Sequence, residues 1–591
     1  MVDPTPKGVD IGVPVLIVGA GPAGLTLALA LARYGVPALT VEKHPSTAHT
    51  PRAHIINQRT VEIFRALGIS EKFHEVAIPQ AGMTNNLWYT TLADPEVARS
   101  QTWGTGPDRT AEYFLSSPEP MANCPQTVLE PMLLGAAREA GADIEFQTEF
   151  VELHQDGDGV TSVIRCRTTG DTRTVRSRYV IGADGARSRV LTEAGLTVAG
   201  PDDLGRAANI WFRADLSRFF EHRPGVLSWN VMPGPLLPLR LGTLICHKRY
   251  TEFVLAFMFD PDQMVLSELS EDHLLQRIRA AVGEDIDAEI LGLAGWQVRA
   301  QVADRYSSGN AFCMGDAVHR HPPTNGLGLN MSVADAYNLA WKLVFVLDGR
   351  AGERLLASYS DERQPVGAAG VKRAITSLHE GSAIEAALGL EPNQSAEDGW
   401  KALTVLYESG VAGDERRRAL REPIELSNYQ FNAHGIELGY VYRSDVITQE
   451  STPAPAPERD PVLYYTPTTR PGARVPHARL ERDGQPLSSL DLVDPLGFTL
   501  FTGVGGHRWR TSADRIATRV CVPVTVHLIG ERGGLWDPYG DWASRSEVDT
   551  TGAVLVRPDG HVVWRCPTAE PDGPQQLSDA IDRALGRSAA R

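Results

Sequence analysis

Val15-Leu16-Ile17-Val18-Gly19-Ala20-Gly21-Pro22-Ala23-Gly24-Leu25 is the stretch that decides the fold of this chain. Val15 to Val18 is a short apolar run, the pattern of a strand buried on both faces. Gly19 permits a tight turn, Gly21 lets the backbone approach a pyrophosphate, and Gly24 lets the next helix pack closely on the strand. Pro22 suits the first turn of that helix, where its missing N–H costs nothing. Ala- and Leu-rich sequence carries the helix through Ala32, with its positive end toward the phosphates. A second buried-strand pattern, Pro37 to Val41, ends at Glu42, where an acid would bind a ribose hydroxyl.

Working outward, two further segments place an acid at the end of an apolar run. One is Tyr179-Val180-Ile181-Gly182-Ala183-Asp184-Gly185-Ala186-Arg187-Ser188, and the other is Phe312-Cys313-Met314-Gly315-Asp316-Ala317-Val318-His319. Taken alone, Asp184-Gly185 also reads as an ordinary turn and Asp316 as a helix cap. The dinucleotide fingerprint occurs once. Gly503-Val504-Gly505-Gly506 lacks the strand–helix context and the spaced acid.

A chain of 591 residues exceeds one ordinary core and predicts two to four domains. The net charge of −16 disfavours nucleic acid and anionic membranes as partners. Six scattered cysteines show neither CxxC nor zinc-ligand spacing, so no metal site is expected. Free thiols in a reducing cytoplasm are the simplest reading. The apolar run Val13 to Ala32 is broken by Gly-Ala-Gly-Pro, which argues against a membrane span, and no signal peptide is read before it. Assembly into a homo-oligomer is compatible with this composition.

Thr452-Pro453-Ala454-Pro455-Ala456-Pro457-Glu458-Arg459 reads as an extended linker. Beyond it, Phe498 to Phe501, Val522 to Leu528 and Val554 to Val556 read as strands. Pro558-Asp559-Gly560 reads as a hairpin turn, and Gln576 to Leu585 as a final helix. Between Asp202 and Pro261 the sequence is dense in β-formers, which predicts an inserted sheet. Ser270 to Val282 and Gly326 to Leu347 read as helices. In the second of these, Val333, Tyr337, Trp341 and Val344 recur at core spacing.

With these segments laid out, the chain resembles the class A FAD-dependent aromatic hydroxylases, in the branch of the phenol hydroxylases. Pro51-Arg52-Ala53-His54-Ile55-Ile56-Asn57-Gln58-Arg59-Thr60 carries the resemblance, as does Gly315-Asp316-Ala317-Val318-His319-Arg320-His321-Pro322-Pro323-Thr324-Asn325-Gly326-Leu327-Gly328. It implies an α/β chain: a Rossmann-like FAD-binding fold, an inserted β-sheet substrate domain and a thioredoxin-like C-terminal domain. The expected boundaries are 1–195 for the first FAD-binding part, with excursions into the substrate domain near 80–115. The substrate sheet follows at 196–298, the second FAD-binding part with a helical continuation at 299–451, the linker at 452–459, and the last domain at 460–591. Without a CxxC, that last domain is read as structural rather than as a disulfide reductase.

The resemblance also implies roles. Gly19, Gly21, Gly24 and Glu42 would hold the ADP half of non-covalent FAD, with Arg52 near the flavin and its phosphates. Gln126 would touch the ribityl region, although it also suits a helix cap. Asp184 would face FAD and NADPH, and Asp316 would bind the ribityl chain. Pro322 and Pro323 would stiffen the loop against the flavin face. Gly326, Gly328, Leu329 and Asn330 would bring backbone amides and a helix N-terminus to the flavin pyrimidine edge, favouring the anionic reduced form. NADPH would dock transiently. O₂ would then give a flavin C4a-hydroperoxide that hydroxylates a phenolic or hydroxypyridine-type ring. His54 is the candidate base, because an imidazole can titrate near neutrality; a structural histidine is the competing reading. His319 and His321 read as packing or hydrogen-bonding residues, and Arg187 and Arg189 as solvated arginines. An epoxidase or oxidase on the same scaffold, or a FAD-loaded redox sensor, are the rival functions.

Overall fold

A computed structural model describes residues 9–231, 233, 241–391, 394–531 and 533–587. The opening strand, Ile11–Val18, is longer than the apolar run that announces it, and its second half is fully buried. It lies between two parallel neighbours, Ala38–Val41 and Thr172–Gly182. The sheet order runs Ser307–Ser308, Ala311–Cys313, Thr172–Gly182, Ile11–Val18, Ala38–Val41, Asp143–Glu145. Segments more than a hundred residues apart in sequence therefore end side by side, so the three motif loops emerge from one sheet edge. Helix Pro22–Arg33 begins at N-cap Gly21, and its face is buried against helix Leu327–Leu347. That second helix is almost wholly buried, including Val333, Tyr337, Trp341 and Val344, and its few polar side chains are spent inside the protein.

The predicted inserted sheet is present and has seven strands, in the order Glu289–Gln297, Arg206–Arg213, Glu252–Phe259, Leu241–Lys248, Leu227–Val231, Asn85–Tyr89, Glu96–Gln101. Two of its strands come from the 85–101 excursion. The sheet carries its own core, in which Phe212, Phe220, Phe253 and Tyr250 stack. Helix Glu271–Val282 starts at a Ser270 capping box, and Gly283 ends it in the left-handed region at φ 86°. The 35-residue helix Arg354–Leu388, with Pro365 inside it, was not legible as one element.

After the exposed Thr452–Arg459 stretch, a second α/β unit forms. Phe498–Gly503 and Val524–Ile529 pair in parallel, with helix Arg508–Val520 between them in sequence. Ala553–Val556 and Val562–Cys566 add an antiparallel hairpin, and helix Gly573–Ala584 follows. This is a thioredoxin-like arrangement. The hairpin tip is not a solvent turn. Arg557 and Asp559 are buried against the first unit, where Arg557 pairs with Glu362 at 2.6 Å and Lys342 pairs with Glu362 at 2.8 Å. Arg59 donates to the Asp559 carbonyl at 2.8 Å, and Arg474 pairs with buried Glu62. All six cysteines are free thiols, and no described helix is long and apolar enough to cross a membrane.

Candidate active site

The glycines of the first loop are required for different reasons. A Cβ on Gly24 would sit 1.9 Å from the Gly19 carbonyl oxygen, and one on Gly19 (φ 107°) would sit 2.3 Å from that of Ala183. These two are fixed by protein packing. A Cβ on Gly21 would meet only Glu130 Oε1, at 3.9 Å, so the space beside Gly21 stays open. The helix beginning there has no side-chain cap, which leaves its first amides free. An open cradle beside uncapped amides fits a pyrophosphate, so the residues present fit the ADP part of FAD.

Glu42 supports the same turn. Its Oε2 accepts from the Ala20 amide and its Oε1 from the His44 amide, both at 2.9 Å. A carboxylate has lone pairs beyond these two bonds for a ribose hydroxyl. Gln126 does not cap its helix; it donates to Glu130 Oε1 at 2.5 Å. The Glu130 Oε2 accepts from the Ala48 amide at 2.5 Å, and burial pushes this carboxyl upward in pKa. Asp184 has an evident structural task. It accepts from the Ser188 hydroxyl and from the amides of Arg189 and Val190, and so holds the start of helix Arg189–Glu193. Arg187 and Arg189 are exposed.

Asp316 is different. It lies on a turn that begins at Gly315 (φ 62°), is exposed, and makes no side-chain hydrogen bond among the described residues. It is also closely surrounded by protein: desolvation pushes its carboxyl up, against the charges of His319, Arg52 and Arg320. A carboxylate that is solvent-accessible yet closely surrounded lines a cleft. Arg52 is exposed, has no ion pair or hydrogen bond among the described residues, and bears on both Asp316 and Glu130. The turn is held from behind by buried Asp335. This carboxylate accepts from the Gly315 amide at 3.0 Å, His319 Nε2 at 2.6 Å and Arg363 Nε at 2.6 Å.

On the far side, Asn325 and Gly326 both take positive φ, 64° and 62°, and helix Leu327–Leu347 starts without a side-chain cap. A Cβ on Gly326 would lie 3.1 Å from that of Ile55, and one on Gly328 would lie 3.7 Å from His321 Nδ1. Pro323 is exposed on the loop and Leu329 is buried. Asn330 spends its whole side chain on protein. Nδ2 donates to the carbonyls of Ile55 and Gly326, and Oδ1 accepts from the Asn57 amide and the Thr60 hydroxyl. It thereby ties the His54 loop to the helix start.

His54 Nδ1 lies 2.6 Å from Asn123 Oδ1, and Asn123 Nδ2 donates to the Cys246 carbonyl at 3.2 Å. With its amide oriented by that carbonyl, Asn123 presents an acceptor, so His54 carries its proton on Nδ1. Nε2 is left as a lone pair without a protein partner among the described residues. Burial depresses the His54 pKa to about 4, with the Asn123 bond opposing. The imidazole is therefore neutral at physiological pH, which corrects the expectation of titration near neutrality. His321 is depressed to about 3 by burial and by His319, and its two ring nitrogens have no hydrogen-bond partner among the described residues.

Sequence reasoning missed Asn123, Glu130, Asp335 and His247. Asn123 and Asp335 act through partners distant in sequence, and Glu130 joins its neighbour Gln126 to the distant Ala48 amide. His247 is buried next to buried Cys246, and two consecutive buried residues break strand alternation. No local sequence pattern marks it. Trp229, with Trp88 and Phe431, lines an apolar cavity of ≈ 30 Å³, whereas the Trp211 indole donates to Glu252.

Comparison with known proteins agrees with this geometry. Residues 12–374 match the FAD binding domain family, and residues 468–588 match the aromatic-ring hydroxylase C-terminal family. The chain is 40% identical to 2,4-dichlorophenol 6-monooxygenase of Delftia acidovorans over 586 residues, covering 98% of this chain and 99% of the relative. It is 32% identical to tetracenomycin A2 monooxygenase-dioxygenase of Streptomyces glaucescens, covering 98% and 97%. Among solved structures, the flavin-dependent monooxygenase PieE in complex with FAD and substrate superposes with a TM-score of 0.94 at 48% identity, covering 98% of this chain and 100% of the other.

Proposed function

We propose, from the premise that this chain belongs to the FAD-dependent aromatic-ring hydroxylases, that it hydroxylates a phenolic or hydroxypyridine-type ring, with His54 accepting the proton of the substrate hydroxyl. The protein is a flavoprotein monooxygenase that uses FAD. When bound, FAD supplies the redox chemistry, taking a hydride from NADPH and delivering one atom of O₂ to the ring. The residues of the chain have other tasks. Gly19, Gly21 and Gly24 form the pyrophosphate cradle, Glu42 takes the ribose, and Asp316 accepts from the ribityl hydroxyls. Arg52 places positive charge over the cleft, and Gln126 is held at its edge by Glu130. Asp184 acts on the cofactor through the turn it caps. The uncapped helix start at Gly326–Asn330 presents amides to the flavin pyrimidine edge.

The observation that carries the catalytic assignment is the fixed tautomer of His54. Asn123 holds the proton on Nδ1, so Nε2 is free to accept. An imidazole depressed to about 4 is too weak a base to ionise an ordinary phenol on its own before reaction. It takes the proton as the oxygen gains charge in the transition state, and general-base assistance of this kind is typically worth about 10²–10⁴-fold. Pro322, Pro323 and the apolar wall around Trp229 and Phe431 exclude water from the reacting ring.

The test uses ¹⁸O₂ with NADPH and a panel of phenols and hydroxypyridines. The expected result is ring-stimulated NADPH oxidation, with one labelled oxygen in the product. Peroxide as the sole oxygen product from every ring would refute hydroxylation. His54→Ala should retain FAD and its reduction by NADPH but divert turnover to peroxide. An unchanged yield of product per NADPH would remove His54 from the mechanism.

A further inference from the structure

His247 is buried, and neither of its ring nitrogens has a hydrogen-bond partner among the described residues. A polar ring left unsatisfied in a core destabilises the fold. It sits at a register shift in strand Leu241–Lys248. Pairing with Glu252–Phe259 is regular up to Cys246↔Phe253 and resumes at Lys248↔Glu252. A bulge of this kind re-aims one side chain out of the regular alternation.

The bulge adjoins the anchor of His54. Asn123 joins the two places, accepting from His54 Nδ1 and donating to the carbonyl of Cys246, the residue before His247. The imidazoles are near enough for a charge on His54 to disfavour protonation of His247, whose pKa burial has already depressed to about 3. Both rings are therefore neutral. One tautomer is fixed as an acceptor, while the other ring carries one N–H and no obligation.

We propose that His247 is a second substrate-contacting residue, its ring N–H donating to the same substrate oxygen whose proton His54 Nε2 accepts. This rests on the reading of His54 given above. As the proton passes from the substrate oxygen to His54 Nε2, the oxygen keeps the electron pair and becomes phenolate, while His247 keeps its own proton and hydrogen-bonds the new anion. A weak base thus suffices, because the anion is stabilised from its other side.

The probe is 4-nitrophenol bound to the FAD holoenzyme without NADPH. The phenolate-to-phenol ratio is read at one pH from the visible phenolate band, against the same protein without phenol. Wild type should raise that ratio above its value in solution. His247→Leu should lower it by about tenfold or more, the worth of one hydrogen bond to a charged acceptor, and His247→Gln, which keeps a donor, should recover much of it. Without substrate, His247→Leu should be at least as heat-stable as wild type, since it removes an unsatisfied polar group. A Leu variant with the wild-type ratio, or one markedly less stable than wild type, would overturn the assignment of His247 alone. Failure of wild type to bind or perturb the phenol would overturn the phenolic reading itself, and His247 with it.

Discussion

Removing Arg557 should destabilise the whole molecule rather than its last domain alone. Its guanidinium has no solvent exposure and makes four charge-assisted bonds: Nε to Asp559 Oδ1 at 2.7 Å, Nη2 to Asp559 Oδ2 at 2.8 Å, Nη1 to Glu362 Oε1 at 2.7 Å and Nη2 to Glu362 Oε2 at 2.6 Å. With Lys342 on Glu362, the cluster holds two cations and two carboxylates. In Arg557→Leu, Glu362 keeps Lys342, but Asp559 retains only Asn338 and a His561 that burial depresses to about 4. One buried negative charge is then uncompensated. Breaking a buried pair from one side costs about 3–5 kcal/mol. The assay is urea unfolding followed in parallel by tryptophan fluorescence and flavin release, and the two signals should move together to lower urea. Arg557→Leu combined with Asp559→Asn restores charge balance and should recover part of the loss. A single variant that loses less than about 1 kcal/mol, the range of an exposed pair, would refute the reasoning. So would a double variant no better than the single.

Asp316→Ala should weaken FAD binding by about 10–100-fold, from the loss of hydrogen bonds to a charged acceptor, with the apoprotein fold retained; equilibrium dialysis of FAD checks it. Glu437 is buried with Oε2 unpartnered, and burial raises its pKa to about 8 against the opposing charge of Arg109. Because the folded value lies above the unfolded one, this group's contribution is fully favourable below pH of about 4.5 and is lost as pH rises toward about 8. Glu437→Gln should therefore flatten the decline in stability across that window, by up to a few kcal/mol at its upper end, in thermal melts at a series of pH values; an unchanged slope would count against it.

What the sequence made legible was local. The Gly19–Gly24 loop, the flanking strands, and the helices read at Ser270 to Val282 and Gly326 to Leu347 declare themselves locally, through glycine geometry or hydrophobic spacing. The inserted sheet was visible in its β-dense centre, although two strands arrive from 85–101. The invisible part consists of pairings across sequence. Asn330 reads as one more polar residue at a helix start, and only the fold shows its side chain spent on Ile55 and Asn57. Asp184 was read from its Asp-Gly context, and only the fold shows that its carboxylate also holds a helix start. Pro558-Asp559-Gly560 has the composition of a solvent turn, and nothing local announces that Glu362 and Arg59 wait for it. His54 was found by position, but its tautomer depends on Asn123, and its depressed pKa on burial that no spacing encodes.

The position of that hairpin tip also bears on how the protein is made. A ribosome delivers the glycine loop first and Arg557 near the end, so Lys342 and Glu362 emerge long before the cation that completes their cluster. Until then Glu362 has Lys342 as its cation but lacks the two-pronged contact with Arg557, so the packing around it in the cofactor-holding half is unfinished. Vectorial folding, domain by domain from the N-terminus, is thus interrupted here. The half that holds the flavin cannot reach its final packing until nearly the last segment of the chain has been synthesised, and ribosome-bound intermediates stalled before the hairpin should remain open to protease around helix Arg354–Leu388.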